Sequence, residues 1–349
     1  MQDYSVQKST TTGSPAGPLL EHPLFGTVII DSPLIQEIIQ SSAFQRLAHI
    51  HQYGPSQYTL YPCAYTRQIH SLGVYALLRR AKTSTPELAA GLLHDISHTV
   101  FSHVGDILFA HTSVTSSYQD DIFKTFLVHT TIPAILENHG LVIDDINPKS
   151  GMFNALEQDL PEVCADRLEY TLTGAYFCTV LTLENCKKII EALEFNGTSW
   201  IFNDITAARQ YATAALIQNK NIWGGAANGL SHHLCALLLK KALEKNILTL
   251  HDIHWSTDTI VFNALKESTD SEIQKLLQAL SDPLAAVTPV ETAEQADISF
   301  KPKFRGVDPL VKLIPNDPTP HRLSMLDPSF AQLFEETRNE LVTTHWKIL

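Results

Sequence analysis

Apolar residues recur at helical spacing along most of the chain. Segments with an apolar period near 3.6 residues outnumber alternating segments by a wide margin, so the pattern predicts a mostly α-helical fold. Two extended stretches interrupt it, at 194–202 and 298–307. The predicted helices lie at about 31–50, 66–80, 85–94, 101–111, 118–128, 132–139, 160–174, 183–195, 204–218, 227–246, 270–281 and 328–343.

The same pattern divides the chain into three parts. Residues 1–20 are polar, lack the apolar centre of a signal peptide and are interpreted as a flexible leader. Residues 21–180 carry the most regular helical pattern and are predicted to form a helical core. Residues 181–349 mix helices with the extended stretches, which predicts a smaller α+β region packed on that core. Within it, Asn196-Gly197 favours a hairpin turn.

Composition narrows the class of protein. The chain has 349 residues, of which 44% are hydrophobic and 18% charged, so it can bury a sizeable core. A formal net charge of −12 disfavours nucleic acid as a partner, because phosphate backbones need a basic surface. No apolar run reaches the roughly 20 residues of a membrane span. Five cysteines without a CxxC pair indicate a reducing, cytoplasmic compartment and argue against a thiolate zinc site.

One apolar helix ends in two side chains that ligate metals. The third predicted helix is apolar on nearly every side and ends in His94 and Asp95, and a buried carboxylate is unfavourable unless something compensates its charge. A divalent cation does so, and imidazole and carboxylate are standard ligands for one. His70 lies on the apolar face of the preceding helix, where a core histidine bonded to a carbonyl is the alternative. A second His-Asp pair at 251–252 lacks an apolar helix before it and is interpreted as the cap and first turn of a short helix.

Further polar groups accompany this pair. His98 follows it at once, and His103 and Asp106 are spaced to share a helix face as an imidazole with an orienting carboxylate. Asp166 has apolar neighbours at helical spacing and is predicted to face the interior. The alternative is an exposed aspartate paired with Arg167. A metal site of His70, His94, Asp95 and Asp166 is the hypothesis that these patterns favour.

Several ordered segments resemble a known family. They read FQRLAHIHQYG, YPCAYTRQIHSLGV, AGLLHDISHTVFSH and CADRLEY, and the chain also contains GTVIIDSPLIQEII and KPKFRGVDPLV. In this order they resemble the HD-domain metal-dependent phosphohydrolases, particularly the branch of deoxynucleoside triphosphate triphosphohydrolases. The resemblance covers residues 24–180 strongly and the rest weakly. It implies a mostly α fold with an HD-domain helical core, a divalent metal ion, a phosphate-ester substrate and a homo-oligomer.

The resemblance also implies roles for individual residues. It assigns the metal to the four residues of the hypothesis above, whether the ion is Mn, Fe, Ni, Zn or Mg. It assigns catalysis near the scissile phosphate to His98, His103 and Asp106, and phosphate contact to Arg67. It places Gln52 and Tyr170 at the substrate pocket.

Two departures from the family pattern concern the substrate pocket rather than the metal. Tyr118 stands where relatives have a histidine at the start of the next helix, and Gly174 stands where deoxynucleotide hydrolases carry an aspartate. The expected activity is hydrolysis of a nucleotide-like phosphate ester, in the triphosphohydrolase manner or as a monophosphatase or phosphodiesterase. A catalytically weak nucleotide-binding regulator is an alternative from another class, and a helical scaffold protein is a third.

Overall fold

The computed structural model describes residues 19–115, 117–313 and 319–349. Within these ranges the chain forms sixteen α-helices and nine short strands, so the prediction of a mostly α fold with a smaller mixed region is confirmed. The predicted leader lies outside the described residues except for its last two positions. Those two begin the first strand, at Leu19.

The helices follow one another along the whole described chain. They are α1 (Pro33–Gln40), α2 (Ser42–Arg46), α3 (Arg67–Arg80), α4 (Thr85–Leu93), α5 (Val104–Leu108), α6 (Tyr118–Leu127), α7 (Ile132–Asn138), α8 (Ala165–Phe177), α9 (Leu183–Glu191), α10 (Ile205–Gln218), α11 (Ala226–Glu244), α12 (Leu250–Trp255), α13 (Asp258–Glu267), α14 (Ser271–Ser281), α15 (Leu323–Leu326) and α16 (Pro328–Glu340). None of these is both long and apolar enough to cross a membrane.

The strands form three small sheets. They are β1 (Leu19–His22), β2 (Gly26–Ile29), β3 (Leu193–Phe195), β4 (Trp200–Phe202), β5 (Val287–Pro289), β6 (Ile298–Phe300), β7 (Leu310–Val311), β8 (His321–Arg322) and β9 (Thr344–Ile348). The sheets have the orders β1-β2, β3-β4-β7-β8 and β5-β9-β6. The predicted Asn196-Gly197 turn joins β3 to β4, with Gly197 at φ +96°.

Helix α3 lies in the middle of the larger apolar core. It packs against α4 and α8, and α8 in turn packs against α10. Val74, Leu77 and Leu78 of α3 are fully buried, as are Leu92 and Leu93 of α4. Each such side chain contributes about 1.5–3 kcal/mol to folding. This packing brings the middle of α3, the end of α4 and the start of α8 to one place.

A second apolar core surrounds the long helix α11. Leu234 and Leu238 of this helix pack with α14, and with Val100 and Val104 from the segment that follows the first His-Asp pair. The C-terminal part of the chain therefore contacts the loop that carries candidate catalytic residues. A backbone hydrogen bond from Val100 N to Ile253 O, 3.0 Å long, joins the two directly.

Some predicted helices are shorter in the structure. The helix predicted over 31–50 breaks at Ser41, whose backbone is extended and whose Oγ caps α2 by accepting from Phe44 N at 3.2 Å. The helix predicted over 101–111 begins only at Val104, because Phe101 and Ser102 have φ of +58° and +56°. Strand β9 is a further difference, since the C-terminal residues form the central strand of a sheet that the pattern did not predict.

Candidate active site

Three helices supply the four residues of the predicted metal site. His70 lies on the buried face of α3, His94 is the C-terminal cap of α4 with Asp95 directly after it, and Asp166 lies in the first turn of α8. The first three side chains are almost fully buried, and the Asp166 side chain is 23% exposed. One edge of the group therefore opens toward solvent at Asp166.

The metal-ligating atoms of these residues converge. Nε2 of His70 lies 3.1 Å from Nε2 of His94, 3.0 Å from Asp166 Oδ1 and 3.5 Å from Asp95 Oδ2. Nε2 of His94 lies 3.6 Å from Asp95 Oδ1 and 3.6 Å from Asp166 Oδ1. His70, His94 and Asp95 form a group in which one ligand atom from each lies within 4.8 Å of the others. Asp166 stands beside both histidines.

The outer hydrogen bonds of the two imidazoles direct their Nε2 atoms inward. Nδ1 of His94 donates to Gly91 O at 2.8 Å, and Nδ1 of His70 contacts the carboxylate of Glu169. With the proton on Nδ1, each Nε2 offers a lone pair to the same point. Two imidazole nitrogens and two carboxylates that meet there have only acceptor atoms to offer. This donor set fits a borderline or hard divalent cation.

The surrounding carboxylates favour a positive charge at this point. Burial alone would lower the pKa of His70, yet the carboxylates of Glu169, Asp166 and Asp95 outweigh it and raise that pKa to about 10. In the absence of a metal, a proton on His70 meets part of the demand. A divalent ion held by these residues would take the place of that proton.

Arg67 lies behind the group rather than at its open edge. The residue is only 3% exposed, and its Nη1 donates to Asp95 Oδ2 at 2.6 Å while its Nε donates to Ser102 Oγ at 3.0 Å. The guanidinium holds the pKa of Asp95 well below its ordinary value, against the opposing effect of burial. Contact between Arg67 and a substrate phosphate stays a prediction.

His98 and His103 stand next to each other on the other side of Asp95. Their ring centroids are 5.0 Å apart and nearly perpendicular. His98 is buried, its Nε2 lies 3.2 Å from Asp95 Oδ1, and that atom has no aligned hydrogen-bond partner among the described residues. Burial and the Arg67 cation lower the pKa of His98 to about 3, so this imidazole is neutral.

His103 and Asp106 form the predicted imidazole–carboxylate pair. Nδ1 of His103 lies 3.0 Å from Asp106 Oδ2, and the His103 side chain is 44% exposed. The other carboxylate oxygen of Asp106 accepts from Tyr118 N at 2.8 Å, at the start of α6. Burial would raise the pKa of Asp106, but these contacts lower it to about 2, so it is ionised at neutral pH.

Comparison with known proteins agrees with this arrangement. The family model for the HD domain matches residues 67–172, which contain all four converging residues. The uncharacterized protein YdhJ of Bacillus subtilis is 31% identical over 290 residues, covering 83% of this chain and 87% of that protein. The chain belongs to the HD-domain family.

Two more relatives of this HD-domain protein carry functional names. The metal-dependent phosphohydrolase cns2 of Cordyceps militaris is 25% identical over 268 residues, covering 75% of this chain and 77% of that protein. Together with the HD-domain match, this relative identifies the chain as a metal-dependent hydrolase of the HD-domain phosphohydrolase superfamily. The deoxynucleoside triphosphate triphosphohydrolase SAMHD1 of Gallus gallus is 30% identical over 144 residues, covering 35% of this chain and 23% of that protein. The similarity to SAMHD1 is therefore confined to a minor part of either protein.

Two solved structures share the fold. A hypothetical protein from Aquifex aeolicus superposes with a TM-score of 0.66 at 18% identity, covering 92% of this chain and 99% of that one. A phosphohydrolase from Bacteroides thetaiotaomicron superposes with a TM-score of 0.63 at 17% identity, covering 95% and 99%. These two proteins therefore share the fold over nearly the whole length of the chain.

In the HD-domain protein, Gln52 lies beside Arg67, whereas Tyr170 lies beside Trp223. Oε1 of Gln52 is buried without a hydrogen-bond partner in the described part of the chain, and the backbone carbonyl of Gln52 lies 3.5 Å from Nη2 of Arg67. Tyr170 follows Asp166 by one turn of α8, and its ring packs edge-on against Trp223 at 5.1 Å. Their roles toward a substrate stay predictions.

The second His-Asp pair has the predicted structural role. Asp252 Oδ2 accepts from Thr249 N at 2.8 Å, and Thr249 Oγ1 accepts from Asp252 N at 3.2 Å, which closes a capping box at the start of α12. The interpretation of this pair as part of the cap and first turn of a short helix is confirmed, with Thr249 as the capping residue.

Sequence reasoning missed two residues beside the metal site. Glu169 and His22 are both buried, and Glu169 contacts His70 directly while His22 contacts Glu169. A signal for Glu169 was available, because it follows Asp166 by three residues on the same helix face. No local signal marks His22, which precedes α3 by a long stretch of chain.

Proposed function

We propose that this HD-domain enzyme hydrolyses a phosphate ester of a nucleotide-like small molecule at a metal centre formed by His70, His94, Asp95 and Asp166. The observation that carries the proposal is the convergence of acceptor-only atoms at 3.0–3.6 Å, in a buried site with one open edge. A divalent ion held there supplies an acidified water and a Lewis acid for a phosphoryl oxygen.

The protein's own residues hold the ligands in place. Arg67 fixes Asp95 through a 2.6 Å hydrogen bond, so this carboxylate keeps one orientation whether or not a substrate is bound. Gly91 O and Glu169 fix the ring orientations of His94 and His70. Preorganisation of this kind removes the free energy of reorganisation from the reaction step.

His103 is the residue best placed to transfer a proton to the leaving oxygen. Asp106 accepts from its Nδ1, which leaves Nε2 free to exchange a proton, and the partly exposed ring can reach an incoming ligand. His98 is buried and neutral, and its unaligned Nε2 offers a second group to a substrate oxygen near Asp95. We assign proton transfer to His103 and substrate contact to His98.

Lys149 is shared by two carboxyl groups and therefore supplies no free positive charge for a substrate. Its Nζ lies 3.2 Å from Glu157 Oε1 and 3.6 Å from Asp120 Oδ2. Burial raises the pKa of Glu157, and the Asp166 carboxylate raises it further. The positive charge that attracts an anionic substrate to this net negative chain would therefore come from the metal ion.

One observation favours a substrate other than a deoxynucleoside triphosphate. A Cβ atom at Gly174 would meet Gln218 Oε1 at 2.7 Å and Tyr53 Oη at 2.8 Å. An aspartate, expected there by resemblance to the triphosphohydrolases, does not fit unless both side chains move. A monophosphatase or phosphodiesterase at the same metal centre is therefore the second candidate.

The test is a product screen with a metal-site control. Release of phosphate, pyrophosphate and tripolyphosphate is measured over nucleotides and cyclic nucleotides, with and without Mn²⁺, for the wild type and a His94→Ala/Asp95→Ala variant. Tripolyphosphate release supports the triphosphohydrolase version, and orthophosphate release or cyclic-nucleotide opening supports the second candidate. Turnover that persists in the variant would refute the metal mechanism.

The screen also separates an enzyme from a nucleotide-binding regulator. A regulator would bind Mn²⁺ and be stabilised by a nucleotide in thermal unfolding, while releasing no product. The pair His103–Asp106 argues for the enzyme, because a pure binder has no need of an oriented proton-transfer group.

A further inference from the structure

Glu169 connects three side chains in the interior of the protein. The residue is fully buried, and its Oε2 accepts from Tyr65 Oη at 2.6 Å and contacts Nδ1 of His70. Its Oε1 lies 3.2 Å from Nε2 of His22. Both carboxylate oxygens are therefore engaged, and the carboxylate cannot rotate without breaking one of these contacts.

The hydrogen bonds of His22 define which of its nitrogens carries the proton. Nδ1 of His22 accepts from Leu24 N at 3.2 Å and from Phe25 N at 3.4 Å, within the turn between β1 and β2. Nδ1 is therefore an acceptor, and in the neutral imidazole the proton lies on Nε2. Nε2 then donates to Glu169 Oε1. The turn of the N-terminal hairpin thus orients His22 for this contact.

Helix α3 leaves room for the contact at a glycine. A Cβ atom built on Gly73 would lie 2.6 Å from Cγ of Glu169 and 2.6 Å from Nε2 of His22. Both side chains pack directly against the backbone of α3 at this position. A residue larger than glycine at position 73 would clash with them. Gly73 follows His70 by three residues, so the network lies directly beside the metal ligand.

We propose that the N-terminal hairpin is part of the metal centre, with His22 as a positioning residue that acts through Glu169 on His70. This inference rests on the proposed metal site. His22 holds one oxygen of Glu169, so the other oxygen stays on Nδ1 of His70, and Nε2 of His70 stays directed at the metal. The hairpin precedes the family match at 67–172, so the HD-domain segment alone is an incomplete site.

Two substitutions of His22 separate this role from simple structural support. His22→Asn places an acceptor near the position of Nδ1 and keeps the turn, but its amide NH₂ does not extend to the position of Nε2 and so loses the Glu169 contact. His22→Gln places an amide donor near the position of Nε2 and keeps the Glu169 contact, but it loses the turn acceptor. A residue that only supports the hairpin would show its larger effect in the glutamine variant.

The experiment measures Mn²⁺ affinity by calorimetric titration on the full chain, and the metal-free unfolding midpoint by circular dichroism in EDTA. For His22→Asn we expect the Mn²⁺ dissociation constant to rise about 10- to 100-fold, which is the range found when a hydrogen-bond partner of a metal ligand is removed. For His22→Gln we expect an affinity near that of the wild type. Asp308→Asn is the matched control. That carboxylate is also buried, and it accepts from Ser324 N and Ser324 Oγ rather than from a metal ligand or its partner.

Each outcome bears on the proposal. Weaker Mn²⁺ binding in His22→Asn with recovery in His22→Gln supports it. Equal affinity in the wild type and His22→Asn would overturn it while leaving the proposed function intact. An affinity that merely follows the unfolding midpoint across all three variants would also overturn it. A wild-type chain that binds no Mn²⁺ would refute the metal centre itself, and this inference with it.

Discussion

Nε2 of His70 lies 3.1 Å from Nε2 of His94, and one carboxylate oxygen of Asp166 lies within 3.6 Å of both nitrogens. Acceptor atoms at such distances repel one another unless they share a positive charge. In the metal-free protein a proton on His70 relieves only part of this repulsion. The three side chains come from α3, α4 and α8, so the remaining repulsion acts between helices. Metal binding should therefore stabilise the whole core.

Mn²⁺ should raise the free energy of unfolding of the wild type but not of a ligand-deficient variant. At a concentration 100 times its dissociation constant, a ligand specific for the folded state contributes about 2.7 kcal/mol. The measurement is thermal unfolding with Mn²⁺ and with EDTA for the wild type and His94→Ala/Asp95→Ala. The matched control is His251→Ala/Asp252→Ala, which removes the Asp252 side of the capping box at the start of α12 but should keep the full response to Mn²⁺.

Arg67→Ala should destabilise the metal-free protein more than the Mn²⁺-bound protein. The substitution leaves the buried Asp95 carboxylate without its guanidinium, and the loss of one partner of a buried pair costs about 3–5 kcal/mol. Mn²⁺ should restore part of this, because it supplies a second cation to Asp95. Urea unfolding with and without Mn²⁺ measures both effects. Equal losses under the two conditions would contradict a metal ion at Asp95.

Asp106→Asn should reduce turnover without weakening Mn²⁺ binding. The amide can still accept from Tyr118 N, but its NH₂ group faces His103 Nδ1 and disfavours the tautomer that the carboxylate sets. We expect kcat to fall by about 100-fold or more, the usual contribution of an oriented general acid or base. Steady-state kinetics on the substrate found in the screen and Mn²⁺ titration test this. A change in Mn²⁺ affinity of similar size would refute the assigned role.

Asp258 should make stability depend on pH between about 4 and 7. Burial raises its pKa from 3.8 to about 7, although Phe101 N and His51 N donate to it. A carboxyl with a raised pKa binds more protons in the folded state, so its stabilisation is full below pH 3.8 and is lost as pH rises through 7. Urea unfolding from pH 4 to 8 should show a smaller downward slope in Asp258→Asn, because the amide does not titrate.

Gly174→Ala should destabilise the fold without creating deoxynucleotide hydrolysis. The added methyl group meets the amide oxygen of Gln218 and the hydroxyl of Tyr53, and overpacking of this kind costs about 1–3 kcal/mol. Urea unfolding measures the cost, and the tripolyphosphate assay measures the activity. A stable Gly174→Asp variant that gains tripolyphosphate release would contradict the exclusion of an aspartate from this position.

The burial of the first His-Asp pair, His94 and Asp95, could be predicted from the sequence alone. An apolar helix that ends in two polar side chains has a local signature, and the structure shows α4 ending at Leu93 with both residues buried. Helical spacing likewise placed His70 on a buried face, because the period of an α-helix is a local property of the chain. The overall helical content follows from the same regularity.

The contact that the structure shows for Arg67 differs from the one that the family resemblance predicts. The sequence offers a guanidinium three residues before His70, and the family resemblance assigns it to substrate phosphates. In the structure its Nη1 donates to Asp95 at 2.6 Å, a residue 28 positions away. Pairing across that distance depends on how α3 and α4 pack, which the local pattern does not encode.

The sequence by itself determined the helical class, the two His-Asp contexts and the candidates for the metal site, since each rests on spacing within one or two turns of helix. Tertiary structure alone decided the convergence of three helices on one point, the positive φ of Phe101 and Ser102, and the link from His22 to Glu169 across 147 positions. The reason is physical. Local periodicity sets which face of a helix is buried, whereas the partner of a buried polar group is chosen by packing over the whole core.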